Sequence, residues 1–171
     1  FGHPVTTLVS DGSRLMIYLT DEKRFLLGAA TPENMARLLP IPLSPGELGG
    51  ALRGAMPLIP HQNSQVEWNG KDGRYRLVLS GENRRQLVDL EPDYFRVTAI
   101  HTYSDTALLY RAEFGDYSGT GDAVIPRRIR FEVPSESLKV EMRVVEHRIN
   151  PELPDAAFHL VPPRGIRVEA L

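Results

Sequence analysis

Polar and apolar residues alternate with period two along most of the chain. The runs are Arg14 to Leu19, Gln65 to Asn69, Tyr75 to Ser80, Arg84 to Leu90, Phe95 to Tyr103, Ala107 to Phe114, Arg128 to Val133 and Leu138 to Val144. Alternation of this kind predicts strands with one dry face. In the last run Leu138, Val140, Met142 and Val144 share one side, while Lys139, Glu141 and Arg143 share the other. Leu108, Tyr110, Ala112 and Phe114 repeat the pattern. Short turns separate the runs: Ser10-Asp11-Gly12, Asp21-Glu22-Lys23, Gly70-Lys71-Asp72-Gly73 and Gly81-Glu82-Asn83. Each has the composition of a hairpin turn, so the strands are expected to form an antiparallel meander. A sheet with one apolar face must be covered on that face.

Helical spacing interrupts the strands once. Thr31 and Pro32 form a cap and first-turn pair, with Met35, Leu38 and Leu39 following on one side, which predicts a short helix over about 31–39. Ser44-Pro45-Gly46-Glu47 reads as a capping box, leading to Leu48, Ala51, Leu52 and Ala55 in a second helix over about 45–55. Gly49 and Gly50 lie in its middle, at a cost of about 1 kcal/mol each relative to alanine. They allow either a close approach to the sheet or a helix loose enough to open. The whole stretch from Leu38 to Pro60 carries only two charged side chains, Glu47 and Arg53, so it is destined for burial or for contact with an apolar ligand.

Composition narrows the chemistry. The 171 residues fit one domain. With 20 Lys and Arg against 22 Asp and Glu and no long run of one sign, a nucleic-acid surface is not expected. The absence of cysteine excludes disulfides, thiolate metal sites and cysteine nucleophiles. No signal peptide is recognisable, and no apolar run of about 18 residues escapes charge and proline. The chain opens on Phe1 with a strand starting almost at once, so the natural N-terminus is expected to lie further upstream.

Catalytic and metal signals are weak. His3, His61, His101, His147 and His159 show no metal-binding spacing, and no metal or cofactor is expected. Ser10, Asp11 and His3 make a conceivable nucleophile set, but hairpin turns use Ser and Asp for backbone reasons. The run from Gly115 to Asp122 leads into a strand, which suits a long hairpin loop better than a phosphate or calcium loop. The Arg84-Arg85 and Arg127-Arg128 pairs read as solvated strand ends. Trp68, Tyr75, Tyr94 and Phe95 suit either the lining of a cavity or the filling of a core, with core filling the default.

Three segments in order resemble the bacterial lipoprotein-carrier superfamily of LolA and LolB, especially its LolB-like branch of outer-membrane lipoproteins. FGHPVTTLVSDGSRLMIYLTDEKRFLLG is similar to the family's strand, SDG turn and strand, with an aromatic and a glycine before the first helix. IPLSPGELGGALRGAMP matches its helical segment, and IPRRIRFEV followed by RINPELPDAAFHLVPPRGIRVEAL matches its ending. The resemblance implies a mainly β (α+β) fold over 1–171: a strongly curved antiparallel sheet forming an incomplete β-barrel, with the two helices as plug or lid. It also implies that native N-terminal strands, a signal segment and a lipid-bearing cysteine precede Phe1.

The function implied is non-enzymatic binding of lipoprotein acyl chains or another hydrophobic ligand, in lipoprotein sorting or outer-membrane maintenance. Partners would be lipidated proteins or lipid acyl chains and a periplasmic carrier protein, in the bacterial periplasm, anchored to the outer membrane. Sheltering a long acyl chain supplies on the order of 10 kcal/mol at about 0.8 kcal/mol per methylene. The residues expected to carry it are apolar: Met35, Leu38, Leu39, Leu48, Leu52, Met56, Leu58 and Ile59 from the lid, facing Val97, Leu108, Tyr110, Phe114, Val140 and Met142. Singly, each also suits a plain core. The alternative on this scaffold is a structural or interaction module of an envelope assembly with a filled core. A catalytic role ranks third, for want of an acid–base pair.

Overall fold

The computed structural model describes residues 6–37, 43–121, 124–148 and 151–171. The chain is mostly β, with short helices, and its strands divide between a four-stranded and a seven-stranded sheet. Both have a linear strand order, so neither closes on itself among the described residues. Two compact units contain them, one built from 1–46 and 150–171, the other from 47–149.

In the first unit, β1 (Thr6–Ser10), β2 (Arg14–Leu19) and β3 (Arg24–Ala29) form an antiparallel meander. The β1–β2 turn is closed by Asp11, whose carboxylate accepts hydrogen bonds from the Ser13 and Arg14 backbone N–H, the Ser13 hydroxyl and the Arg14 guanidinium. These donors hold its carboxyl far below the usual carboxylate range. With the Ser10 hydroxyl donating to the Arg14 carbonyl, both residues are spent on the turn; His3 lies outside the described residues.

The chain's final strand, β11 (Val168–Ala170), joins β3 in parallel. Gly28 permits this, since a Cβ there would stand 2.6 Å from the Leu171 Cβ. Helix α1 (Pro32–Ala36) begins as expected, with the Thr31 hydroxyl accepting from the Asn34 N–H and Met35 buried. The part of the expected helix beyond Arg37 lies outside the described residues, as do Leu38 and Leu39.

The second unit is an uninterrupted antiparallel meander: β4 (Asn63–Asn69), β5 (Arg74–Ser80), β6 (Arg84–Leu90), β7 (Val97–Ser104), β8 (Ala107–Gly115), β9 (Arg128–Val133) and β10 (Leu138–Arg143), in that spatial order. Register shifts at Asp89/Leu90 and Thr102/Tyr103 mark bulges that bend the sheet locally. β7 starts two residues later than alternation predicts because Phe95 takes φ +53°, which breaks an extended run.

Helix α2 (Pro45–Leu52) stops short of the expected Ala55. Gly54 adopts φ +78°, its N–H bonds the Ala51 carbonyl, and the Ala55 N–H reaches back to the Gly50 carbonyl. This is a Schellman closure. It also explains Gly50, where a Cβ would lie 2.7 Å from the Ala55 carbonyl oxygen; at Gly49 a Cβ would meet nothing nearer than 3.8 Å. The first glycine of the pair leaves room, and the second is required by the turn.

Candidate functional site

Strand registers sort the second unit's side chains into two faces. One bears the rows Leu77, Val88, Ile100, Ala112, Phe131, Val140 and Tyr75, Leu90, Phe114, Ile129, Met142. All are apolar or aromatic, and Ile100, Phe131 and Ile129 are at most 1 % exposed. A third row, Leu79, Gln86, Thr102 and Tyr110, brings a polar cluster into this face. Gln86 is fully buried.

That cluster fastens the segment following α2. The Ile59 N–H donates to Gln86 Oε1 at 3.3 Å, and Gln86 Nε2 donates to the Pro57 carbonyl and to the Thr102 hydroxyl, both at 3.2 Å. Burial pushes the Tyr110 hydroxyl up in pKa, partly offset by hydrogen bonding to Thr102 and Gln86. At the strap's far end Gln62 N–H donates to the Ser80 carbonyl, and Gly81 lets the Pro60 carbonyl pass where a Cβ would stand 2.6 Å away. Residues 55–61 therefore cross the apolar face as a strap, with Met56 and Ile59 buried and Leu58 53 % exposed.

Of the expected site residues, Tyr110 and Phe114 are buried on the apolar face, while Val97, Val140 and Met142 are half-buried on it; Leu108, also half-buried, lies beyond the Thr102/Tyr103 bulge and pairs with Tyr103 in a row of the other face. Leu48 is half-buried and Leu52 exposed on α2, because the helix turns Gly50 and Ala51 inward instead of Leu52 and Ala55. Met35 is buried in the first unit.

The aromatic residues do not fill the core as composition suggests. Trp68, Tyr94 and Phe95 are more than half exposed, with Trp68 edge-on to Tyr75 at 5.0 Å and Phe95 at 5.7 Å from Tyr75. Tyr117 does take a structural place. Its hydroxyl donates to the Val97 carbonyl at 2.5 Å, and burial pushes its pKa up to about 12. Arg127 pins the same loop through the Ser118 hydroxyl and the Val144 and Val145 carbonyls, so this arginine is a clip and not a solvated strand end.

The other face of the sheet is charged, and the sequence reading passes over it. Arg76 grips Asp89 through two hydrogen bonds of 2.6 and 3.0 Å, Arg130 meets Glu141 at 2.7 Å, Arg128 meets Asp116 at 3.2 Å, and Arg111 pairs with Glu113. Between them Ala99 and Gly115 floor a cavity of about 630 Å³, rimmed by Arg74, Arg76, His101, Arg111, Arg128 and Arg130. Gly115 makes room for the Arg128 guanidinium, 3.0 Å from where its Cβ would be. Burial, then the neighbouring Arg111, pushes the His101 pKa down. The opposite parity of the same alternation holds these residues in plain view. This hollow suits water and ions, whereas the strapped face suits hydrocarbon.

No family model matches the chain, and no curated protein matches it. Among solved structures it is similar to a domain from Vibrio parahaemolyticus provisionally described as an outer membrane lipoprotein-sorting protein domain, with a TM-score of 0.50 and 14 % identity over 85 % of this chain. The chain spans 63 % of that domain's length. The likeness is one of fold alone: strands paired into sheets, with short helices.

Proposed function

We propose that the protein is a non-enzymatic binding module of the bacterial envelope that shelters an apolar ligand, an acyl chain of a lipidated protein or of a lipid, against the apolar face of its seven-stranded sheet. The carrying observation is the strap. A segment rich in apolar residues crosses that face, and between its ends one buried amide, Gln86, holds it by its backbone atoms. Displacing it exposes Met56 and Ile59 together with the sheet beneath, while leaving the strands paired. Apart from Leu108, the expected site residues within the second unit lie on that strap, on α2 or on that face. The lipoprotein-sorting-like fold supports a periplasmic setting, with anchoring to the outer membrane and exchange with a periplasmic carrier protein as the finer parts of the proposal.

A fluorescent long-chain fatty acid and a synthetic diacylated peptide test it directly. Saturable binding, with slowed hydrogen exchange on either side of the strap and faster exchange within residues 55–61, is the expected result. Full protection of the strap and no saturable binding at ligand concentrations up to the solubility limit would move the assignment to an interaction module with a filled core. The low exposure of Ile100, Ile129 and Phe131 is what favours that second reading.

A further inference from the structure

The two edges of the seven-stranded sheet are treated differently. β10 alternates Lys139, Glu141 and Arg143 along one side, all exposed, and charges of this kind discourage strand addition. β4 has none of that protection. Asn63–Asn69 contains no proline, glycine, lysine or bulge, pairs in unbroken register with β5, and is exposed at every position but Asn69. On its apolar side Val66 is 65 % and Trp68 55 % exposed. Its single charge is Glu67.

The strand NSQVEWN is close to self-complementary about its centre. If a second copy adds antiparallel across a two-fold axis at Val66, Val66 meets Val66, Gln65 meets Glu67, Ser64 meets Trp68 and Asn63 meets Asn69. Directly opposed residues then share a face, so the apolar sides of both sheets stay together. The charge fits as well. Within one strand Gln65 Nε2 already donates to Glu67 Oε1 at 2.6 Å, and across the axis the same amide and carboxylate are opposed twice. Moving the centre to Glu67 would set two carboxylates against each other, and moving it to Gln65 would strand Trp68 beyond its partner.

We propose that two copies of the protein associate edge to edge through β4, in the register centred on Val66, covering Val66 and Trp68 in a continuous sheet. A single strand pair is a small interface, so the dimer belongs in roughly the micromolar range.

The absence of cysteine makes the test clean. Val66→Cys and Ser64→Cys each introduce one thiol at an exposed position on the same face. Under mild oxidation or with a short bis-thiosulfonate linker, Val66→Cys should cross-link to a dimer at concentrations where Ser64→Cys does not, because opposed Cβ atoms approach to about 5 Å and the two Ser64 positions are staggered along the strands. Sedimentation equilibrium of the unmodified protein should show the dimer directly. Gln65→Glu, opposing Glu67 twice, should weaken it about tenfold, and Gln65→Lys should tighten it. A monomer at every concentration, equal cross-linking of both thiols, or indifference to both Gln65 variants in protein with unchanged near-ultraviolet circular dichroism would each overturn the proposal.

Discussion

The two faces of the seven-stranded sheet are made from the same strands, one residue out of phase, and they are stabilised by different physics. The Phe131 face is dry, and its strength comes from area removed from water and from packing with little freedom to relax. The Arg76 face is charged, and apart from the Asp89 carboxylate, only 7 % exposed, its ion pairs lie largely beside solvent, where they count for little. The proposed binding of hydrocarbon is assigned to the first face for the same reason that mutational damage should concentrate there.

The strongest way to break this contrast is to truncate one residue on each face. Phe131→Ala, at a site 1 % exposed, should lower the unfolding free energy by about 3–5 kcal/mol. Asp89→Ala, which strips Arg76 of its partner on the other face, should cost about 1–2 kcal/mol. Urea denaturation of the pair decides the matter, and equal losses would mean that the charged face is far drier than its ion pairs indicate.

The next largest effect concerns the glycines of α2. Gly50→Ala places a methyl group against the Ala55 carbonyl and should destabilise by about 1–3 kcal/mol, whereas Gly49→Ala should stabilise by up to about 1 kcal/mol. If the strap must move for a ligand to enter, Gly49→Ala should also slow uptake of the fluorescent fatty acid in a stopped-flow experiment.

The smallest effect is a pH dependence from the charged face. His101 faces Arg111, Arg76, Asp89 and Glu113, and burial leads the causes that hold its folded pKa below the ordinary 6.5. As pH falls through that ordinary value the unfolded chain takes up a proton that the folded chain refuses. Stability from this source is complete above it and declines as pH drops toward the depressed folded value. His101→Gln should flatten the urea midpoint between about pH 7.5 and 5 relative to the unaltered protein.

Much of this architecture was legible in the alternation alone. The strands Arg84–Leu90 and Arg128–Val133 fall at their expected limits, and the hairpin turns lie where glycine, aspartate and asparagine cluster. What escaped depends on distant partners or on single backbone angles. Val168–Ala170 is three residues long and pairs with a strand far upstream in the sequence, so no local pattern announces it or the separate four-stranded sheet. The early end of α2 and the late start of β7 follow from positive φ at Gly54 and Phe95. In the site, the apolar rows were readable because each repeats a residue type at fixed spacing. Gln86 was not, since one amide in a strand forms no pattern until the strap arrives beside it.

That amide has one more implication. Gln86 offers the strap a carbonyl and an N–H, as a neighbouring peptide group would, and within the strap it engages the backbone of Pro57 and Ile59 and no side chain. The side chain between them, Leu58, takes no part in the attachment and points largely into solvent. Fastening and greasiness are thus decoupled: exchanging residue 58 for a larger, smaller or even polar group should leave the latch in place, so under the proposed function it is a position at which affinity for an apolar ligand is tuned while the mechanical connection stays the same.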